Sequence, residues 1–217
     1  MQRLTRLSLA ISLFAFAATG AVASVTRFDS AASFGAATTG RTSHSFEGLA
    51  PADGFARGDV TVGGVTFGSS GTAYVIDGGY NAVYGSAFFS GQSSNDDPSV
   101  VLVDTGGARA IGFNFGSYIS TTGSPVTIRL STGETFIESV AAPGTTAFIG
   151  FLSSSPIGSI SFTTIDNENN TVTNGFSMDI TGFTVAAPVP EPGSYAMMLA
   201  GLALVGGWAV RRARSGH

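Results

Sequence analysis

Short apolar runs of period two, each cut off by glycine and small polar residues, fill the middle of this chain. In Ala110 to Phe115, Ile111, Phe113 and Phe115 alternate with Ala110, Gly112 and Asn114; in Val126 to Leu130, Val126, Ile128 and Leu130 alternate with Thr127 and Arg129. Successive side chains of a strand point to opposite faces, so each run predicts a strand with one buried face. Similar segments lie at Ser43 to Glu47, Val60 to Phe67, Ala73 to Ile76, Ser99 to Val103, Thr135 to Val140, Thr146 to Leu152, Ser159 to Thr163 and Phe176 to Val185. Clusters of Gly, Ser, Thr, Asn, Asp and Pro separate them, as turns require. No helical stripe competes.

Many short strands with frequent turns predict two antiparallel sheets packed face to face, with Phe, Ile and Val between them. The expected fold class is all-β: an antiparallel, jelly-roll-like β-sandwich spanning residues 24–187. Its first stretch, up to Gly40, fits either a short helix or an edge segment. The 217 residues include 30 glycines and 17 phenylalanines, with 11% charged residues, enough chain for one sizeable core. There is no cysteine, which excludes disulfide stapling, a zinc finger and a cysteine nucleophile. Between Ser24 and Ala187 five arginines face thirteen acids, a net charge of −8. Phosphate recognition needs clustered positive charge, so nucleic acid is excluded as a partner.

Positive charge is placed at the two ends instead. Arg3 and Arg6 precede the apolar stretch Leu7 to Ala18, and Ala21-Val22-Ala23 offers small residues at both positions that signal peptidase inspects. Residues 1–23 therefore predict a signal-peptide helix, with Ala21 and Ala23 marking the cleavage site and Ser24 starting the mature chain. At the other end, residues 194–210 carry no charge and would span about 25 Å as a helix, slightly short of a hydrocarbon core. Tyr195 and Trp208 stand near its ends, where amphipathic rings favour the membrane interface. A transmembrane helix is expected there, with Arg211, Arg212 and Arg214 in a basic cytoplasmic tail, 211–217, by the positive-inside rule. Upstream, Pro188, Pro190 and Pro192 disfavour helix and predict an extended strip from Ala187 to Pro192.

Val189, Pro190, Glu191 and Pro192, followed by Gly193-Ser194, an apolar helix and the arginine tail, resemble the PEP-CTERM sorting signal of Gram-negative bacteria. The resemblance covers the last 29 residues, from Val189. It implies recognition of the 188–193 motif by an exosortase-type transpeptidase whose catalytic groups lie in that enzyme. It also implies cleavage near the motif, which would turn an inner-membrane-anchored precursor into a cell-surface or extracellular product.

Candidates for chemistry within the domain are sparse. His44 is the only histidine before His217 and reads as a general base or as a solvent-facing strand residue. Asn95-Asp96-Asp97-Pro98 and Asp166 to Asn170 read as turns, with oxygen-ligated calcium as the sharper alternative. Tyr74, Tyr80, Tyr84 and Tyr118 could stack on sugars or finish the edge of a core. Tyr80 and Tyr84, in the glycine-rich stretch Gly78 to Gly85, are the first ligand-binding candidates.

Glu47, in Ser-Phe-Glu-Gly, and Asp179, in Ser-Met-Asp-Ile, are similar to the carboxylates of carbohydrate-binding-like jelly rolls. That resemblance implies a structural calcium ion held between the first and last core strands; the alternative is a pair of solvent-facing acids. No cofactor is otherwise required. The expected function is that of an exported, non-catalytic surface or biofilm-matrix protein, binding extracellular polysaccharide or neighbouring proteins. A secreted glycan-active hydrolase, which would need two carboxylates across a cleft, is the alternative.

Overall fold

A computed structural model describes residues 24–80, 83–92, 100–118, 125–140, 142–164, 177–189, 198–203 and 205–206. The signal peptide with Ala21 and Ala23, the acidic clusters at 95–98 and 166–170, and Pro190, Glu191, Pro192, Tyr195, Trp208, Arg211, Arg212 and Arg214 lie outside the described residues.

The described chain is mostly strand, joined by turns and loops. In order come β1 (Val25–Phe28), helix α1 (Ala31–Ala37), β2 (Thr38–His44), β3 (Phe55–Arg57), β4 (Val60–Val62), β5 (Val65–Ser69) and β6 (Thr72–Ile76). There follow β7 (Phe88–Gln92), β8 (Val100–Asp104), β9 (Ala110–Gly116), β10 (Pro125–Leu130) and β11 (Thr135–Ser139). The last three are β12 (Ala147–Ser153), β13 (Ser159–Thr164) and β14 (Ser177–Pro188). The segment read from sequence as one strand, Val60 to Phe67, is a hairpin. Gly63 and Gly64 both take positive φ, 56° and 80°, a region that side chains with a Cβ avoid, and they turn the chain between β4 and β5.

Two antiparallel sheets result. The first has the order β1-β12-β9-β14-β7-β6-β3, and the second β11-β10-β13-β8-β5-β4. From β7 onward the chain crosses from one sheet to the other at each strand, except at the β10–β11 hairpin. β14 is the central element of the first sheet. It pairs with β9 along one edge; on the other, residues 177–180 pair with β7 and residues 183–188 with β2. A register shift between Ile180 and Gly182 separates the two regimes. The strip expected to be free from Ala187 onward thus begins inside the sheet, with Pro188 opposite Thr38.

Apolar side chains of alternate positions meet between the sheets. Ile111, Phe113 and Phe115 of β9 face Val126, Ile128 and Phe162 of the second sheet within one continuous core. Phe113 and Phe162 meet edge to face at 5.2 Å across the gap. His44 is not turned to solvent as its strand pattern allowed. It is half-buried, with its ring stacked 4.9 Å from Phe183 directly opposite and resting on Gly63.

The outer face of the first sheet is also covered, in two different ways. At one end α1 lies across it, started by Ser30, whose Oγ accepts from Ser33 N at 3.2 Å. Phe34 projects from α1 onto Gly112 and Gly150, where a Cβ on Gly150 would stand 2.7 Å from the Phe34 ring. These two glycines make room for an aromatic anchor. The other end, over β3, β6, β7 and the start of β14, carries polar and aromatic side chains.

Candidate functional site

Period two sorts β14 into Met178 and Ile180, which enter the core, and Ser177 and Asp179, which point to the outer face. On β7, Phe89 enters the core while Phe88, Ser90 and Gln92 face outward beside them. Asp179 is nevertheless fully buried. The 83–87 segment and Tyr118 close over it.

Four donors converge on this carboxylate. Ser90 Oγ donates to Oδ1 at 2.7 Å; Tyr84 Oη and Tyr118 N each donate to Oδ2 at 2.8 Å, and Ser177 Oγ to Oδ2 at 3.2 Å. No described cation pairs with Asp179. Loss of solvent pushes its carboxyl up to about 7; the hydrogen bonds pull the other way but do not offset burial. Burial, and then the Asp179 charge, raises the Tyr118 hydroxyl to about 12 and holds Tyr84 above the ordinary tyrosine range. Both phenols stay protonated, and Tyr84 keeps donating to Asp179.

An aromatic layer spreads from this buried group to the surface. Tyr84 meets Phe88 edge-on at 4.9 Å, and Phe88 meets Tyr118 at 5.9 Å. Gln92 Nε2 donates to the Tyr118 hydroxyl at 2.6 Å, and Tyr74 and Tyr80 lie within electrostatic reach of that same hydroxyl. Phe55 contacts Tyr74 and Tyr80, both at 5.5 Å, and the Arg57 guanidinium sits 5.4 Å from the Tyr74 ring centre and 5.9 Å from that of Phe55. Phe55 is 40% and Tyr80 55% exposed. Asp77 fixes the turn that carries Tyr80, its Oδ2 accepting from Gly79 N at 2.9 Å and Asp53 N at 3.1 Å.

Four tyrosines spread from position 74 to 118 are therefore brought to one face. They do not play one part. Tyr80 presents its ring to solvent, whereas Tyr84 is committed to Asp179 and serves as an anchor rather than a platform. Phe55, Arg57, Ser90, Gln92 and Ser177 were not visible as site residues from sequence. The only hint was Phe55 and Arg57 flanking Ala56, the alternation of a three-residue strand.

The two carboxylates expected to share calcium hold the same segment by different means. Glu47 is exposed, and its Oε1 accepts from Ala87 N at 2.9 Å; Asp179 accepts from Ser90. Protein donors reach both oxygens of Asp179, three of them converging on Oδ2, whereas calcium needs six to eight oxygen ligands. Among the described residues no group of three acids or histidines is arranged around a metal position.

The opposite end of the first sheet holds a cavity of about 380 Å³, lined by Ser24, Arg109, Ser154, Pro188 and Val189 among others. The start of the domain and the start of the sorting motif meet here. Ser24 N donates to Ser154 Oγ at 3.0 Å, and Val189 N to Ala37 O at 3.3 Å. Farther on, residues 198–203 and 205–206 are helical, and Met198, Leu199, Leu202 and Val205 are exposed rather than packed into the β-core. Among the described residues no helix is long and apolar enough to cross a membrane.

A family profile for the PEP-CTERM protein-sorting motif matches residues 188–214. That match supports an exported, envelope-targeted protein sorted by exosortase through its C-terminal segment. No curated protein matches the sequence. Similar solved structures include the exo-β-1,3-galactanase of Phanerochaete chrysosporium. Its complex with β-1,3-galactotriose is 15% identical with a TM-score of 0.24, covering 67% of this chain and 29% of that one. Its galactose complex is 13% identical with a TM-score of 0.23, covering 68% and 29%. The chain thus spans under a third of that enzyme's length, and scores this low carry no argument about fold or activity.

Proposed function

We propose that this chain is a non-catalytic surface or extracellular-matrix protein whose β-sandwich binds extracellular polysaccharide. It is made as an inner-membrane-anchored precursor and released from its C-terminal segment by an exosortase-type transpeptidase. The sorting half rests on the motif match at 188–214. The binding half rests on one observation: the exposed rings of Phe55 and Tyr80, which meet edge to face beside Tyr74 at the β3–β6 end of the outer sheet face. Aromatic faces stack on the C–H surfaces of sugars while neighbouring polar groups bond the hydroxyls.

The strand order supports a jelly-roll arrangement: β7-β14-β9-β12 in one sheet opposes β8-β13-β10-β11 in the other, with β1 to β6 as additions. A hydrolase would require two carboxylates placed across a cleft. Asp179, the one carboxylate buried among the described residues, has both oxygens occupied, which favours binding over hydrolysis.

Intact-mass measurement of the extracellular form is expected to show a chain starting near Ser24 and lacking residues 195–210. A released protein that keeps those residues overturns the sorting half. Retention on polysaccharide extracted from the producing cells, lost in Tyr80→Ala, tests the other half; failure of the wild-type protein to be retained overturns it.

A further inference from the structure

The aromatic face is rich in donors. Arg57 is exposed, and among the described residues no carboxylate pairs with it, although the domain carries thirteen acids. Its guanidinium is kept in place by two rings, Tyr74 and Phe55, which attract a cation without neutralising it. The Tyr118 hydroxyl accepts from Gln92 Nε2 on the same face. Asp53 and Asp77, in the adjoining turn, lie against Gly79, and Asp77 Oδ2 is taken up by backbone N–H groups. Among the described residues the face therefore lacks a carboxylate paired with its cation.

Resting on the polysaccharide-binding reading above, we infer that the Phe55–Arg57–Tyr80 face recognises an acidic polysaccharide of the uronate type. Pyranose rings stack on Phe55 and Tyr80 while a ring carboxylate pairs with Arg57. A guanidinium preorganised by flanking rings loses little freedom on pairing, and its planar fork suits a carboxylate. The net charge of −8 on the domain as a whole opposes loose, nonspecific adhesion of a polyanion, so binding is confined to this one spot.

Affinity electrophoresis of the domain in gels containing alginate, polygalacturonate or a neutral β-glucan tests the assignment. Wild-type protein is expected to be retarded by the uronate polymers and to lose retardation as salt rises, because an exposed ion pair is screened. Arg57→Gln should weaken uronate binding about tenfold and remove its salt dependence, and Tyr80→Ala should weaken it by a similar factor. Both positions are exposed, and unchanged melting temperatures would show that the variants keep the fold. Retardation by the neutral glucan alone, or uronate binding indifferent to Arg57→Gln, overturns the acidic assignment and leaves polysaccharide binding standing. No retardation by any of the three polymers overturns both.

Discussion

Ser90 and Asp179 stand directly opposite each other on β7 and β14, and Ser90 Oγ donates to Asp179 Oδ1 over 2.7 Å, with both residues buried. This pair links two neighbouring strands of the first sheet, and Tyr84 ties the covering segment to the same carboxylate. A carboxylate in that position has no counter-cation, and its energetics are set by how much hydrogen bonding recovers of the solvation it has lost.

The sign of the resulting pH dependence follows. Burial raises the folded-state carboxyl of Asp179 from 3.8 to about 7, so across that window the native state binds the proton more tightly than the unfolded chain does. Stability from this group is complete below the ordinary carboxylate range and is lost as pH rises through about 7. Unfolding free energies of the wild-type domain from denaturant titrations should fall from acid toward neutral pH, by on the order of 1.4 kcal/mol per pH unit within the window. Asp179→Asn should flatten the profile, since its amide oxygen can accept from Tyr118 N and Tyr84 while the amide nitrogen donates to Ser90 Oγ. Parallel profiles for the two proteins would refute the assignment.

Tyr84→Phe removes one donor from Asp179 and leaves the ring in contact with Phe88. A loss of about 1 to 2 kcal/mol is expected at neutral pH, where the carboxylate form matters most, and a smaller loss at acid pH. The Tyr84 hydrogen bond lowers the Asp179 carboxyl, so its loss should raise that group further and extend the decline in stability to higher pH. Equal losses at both extremes would show that the hydroxyl does not act through the carboxylate.

Gly150→Ala would place a methyl group 2.7 Å from the Phe34 ring and should destabilise by about 1 to 3 kcal/mol through overpacking. Phe34→Ala empties the site beneath α1 and should cost about 3 to 5 kcal/mol. The double variant should be less damaged than the sum, because the new methyl enters space the ring has left. Additive losses, measured by urea unfolding, would mean that the helix does not rest on these glycines.

Arg27 on β1 and Glu138 on β11 link the two sheets by a two-pronged ion pair, at 2.6 Å and 2.8 Å. Its side chains remain partly exposed, so Arg27→Ala should cost only about 0.5 to 1 kcal/mol, and less at high salt. A larger loss that is indifferent to salt would point to the arginine stem's packing instead.

Most of the strands were legible because one face is dry and the other wet. β9 shows this plainly, with Ile111, Phe113 and Phe115 inside. β7 was missed for the opposite reason: Phe88 and Phe89 are neighbours in sequence and both are buried, one beneath Tyr84 and one in the core, so no alternation survives. Asp179 could be placed on the outer side of β14 from the apolar residues flanking it. That the outer side is closed there depends on Tyr84 and Tyr118, which sequence does not bring together. For the same reason Tyr84 looked like a sugar platform from its glycine-rich surroundings, when its hydroxyl is the anchor of a buried group. Residues 24–40 allowed a helix or an edge segment, and the domain uses both: β1 forms the edge and α1 covers the sheet.

β14 runs without interruption from the buried carboxylate to the first residues of the sorting motif, clasped by neighbours on both sides. Tension applied to the C-terminal side is consequently delivered along the strand axis, where ladders on two flanks must shear together rather than unzip one rung at a time. Any tether formed at that end would pull on a strand held by ladders on both flanks.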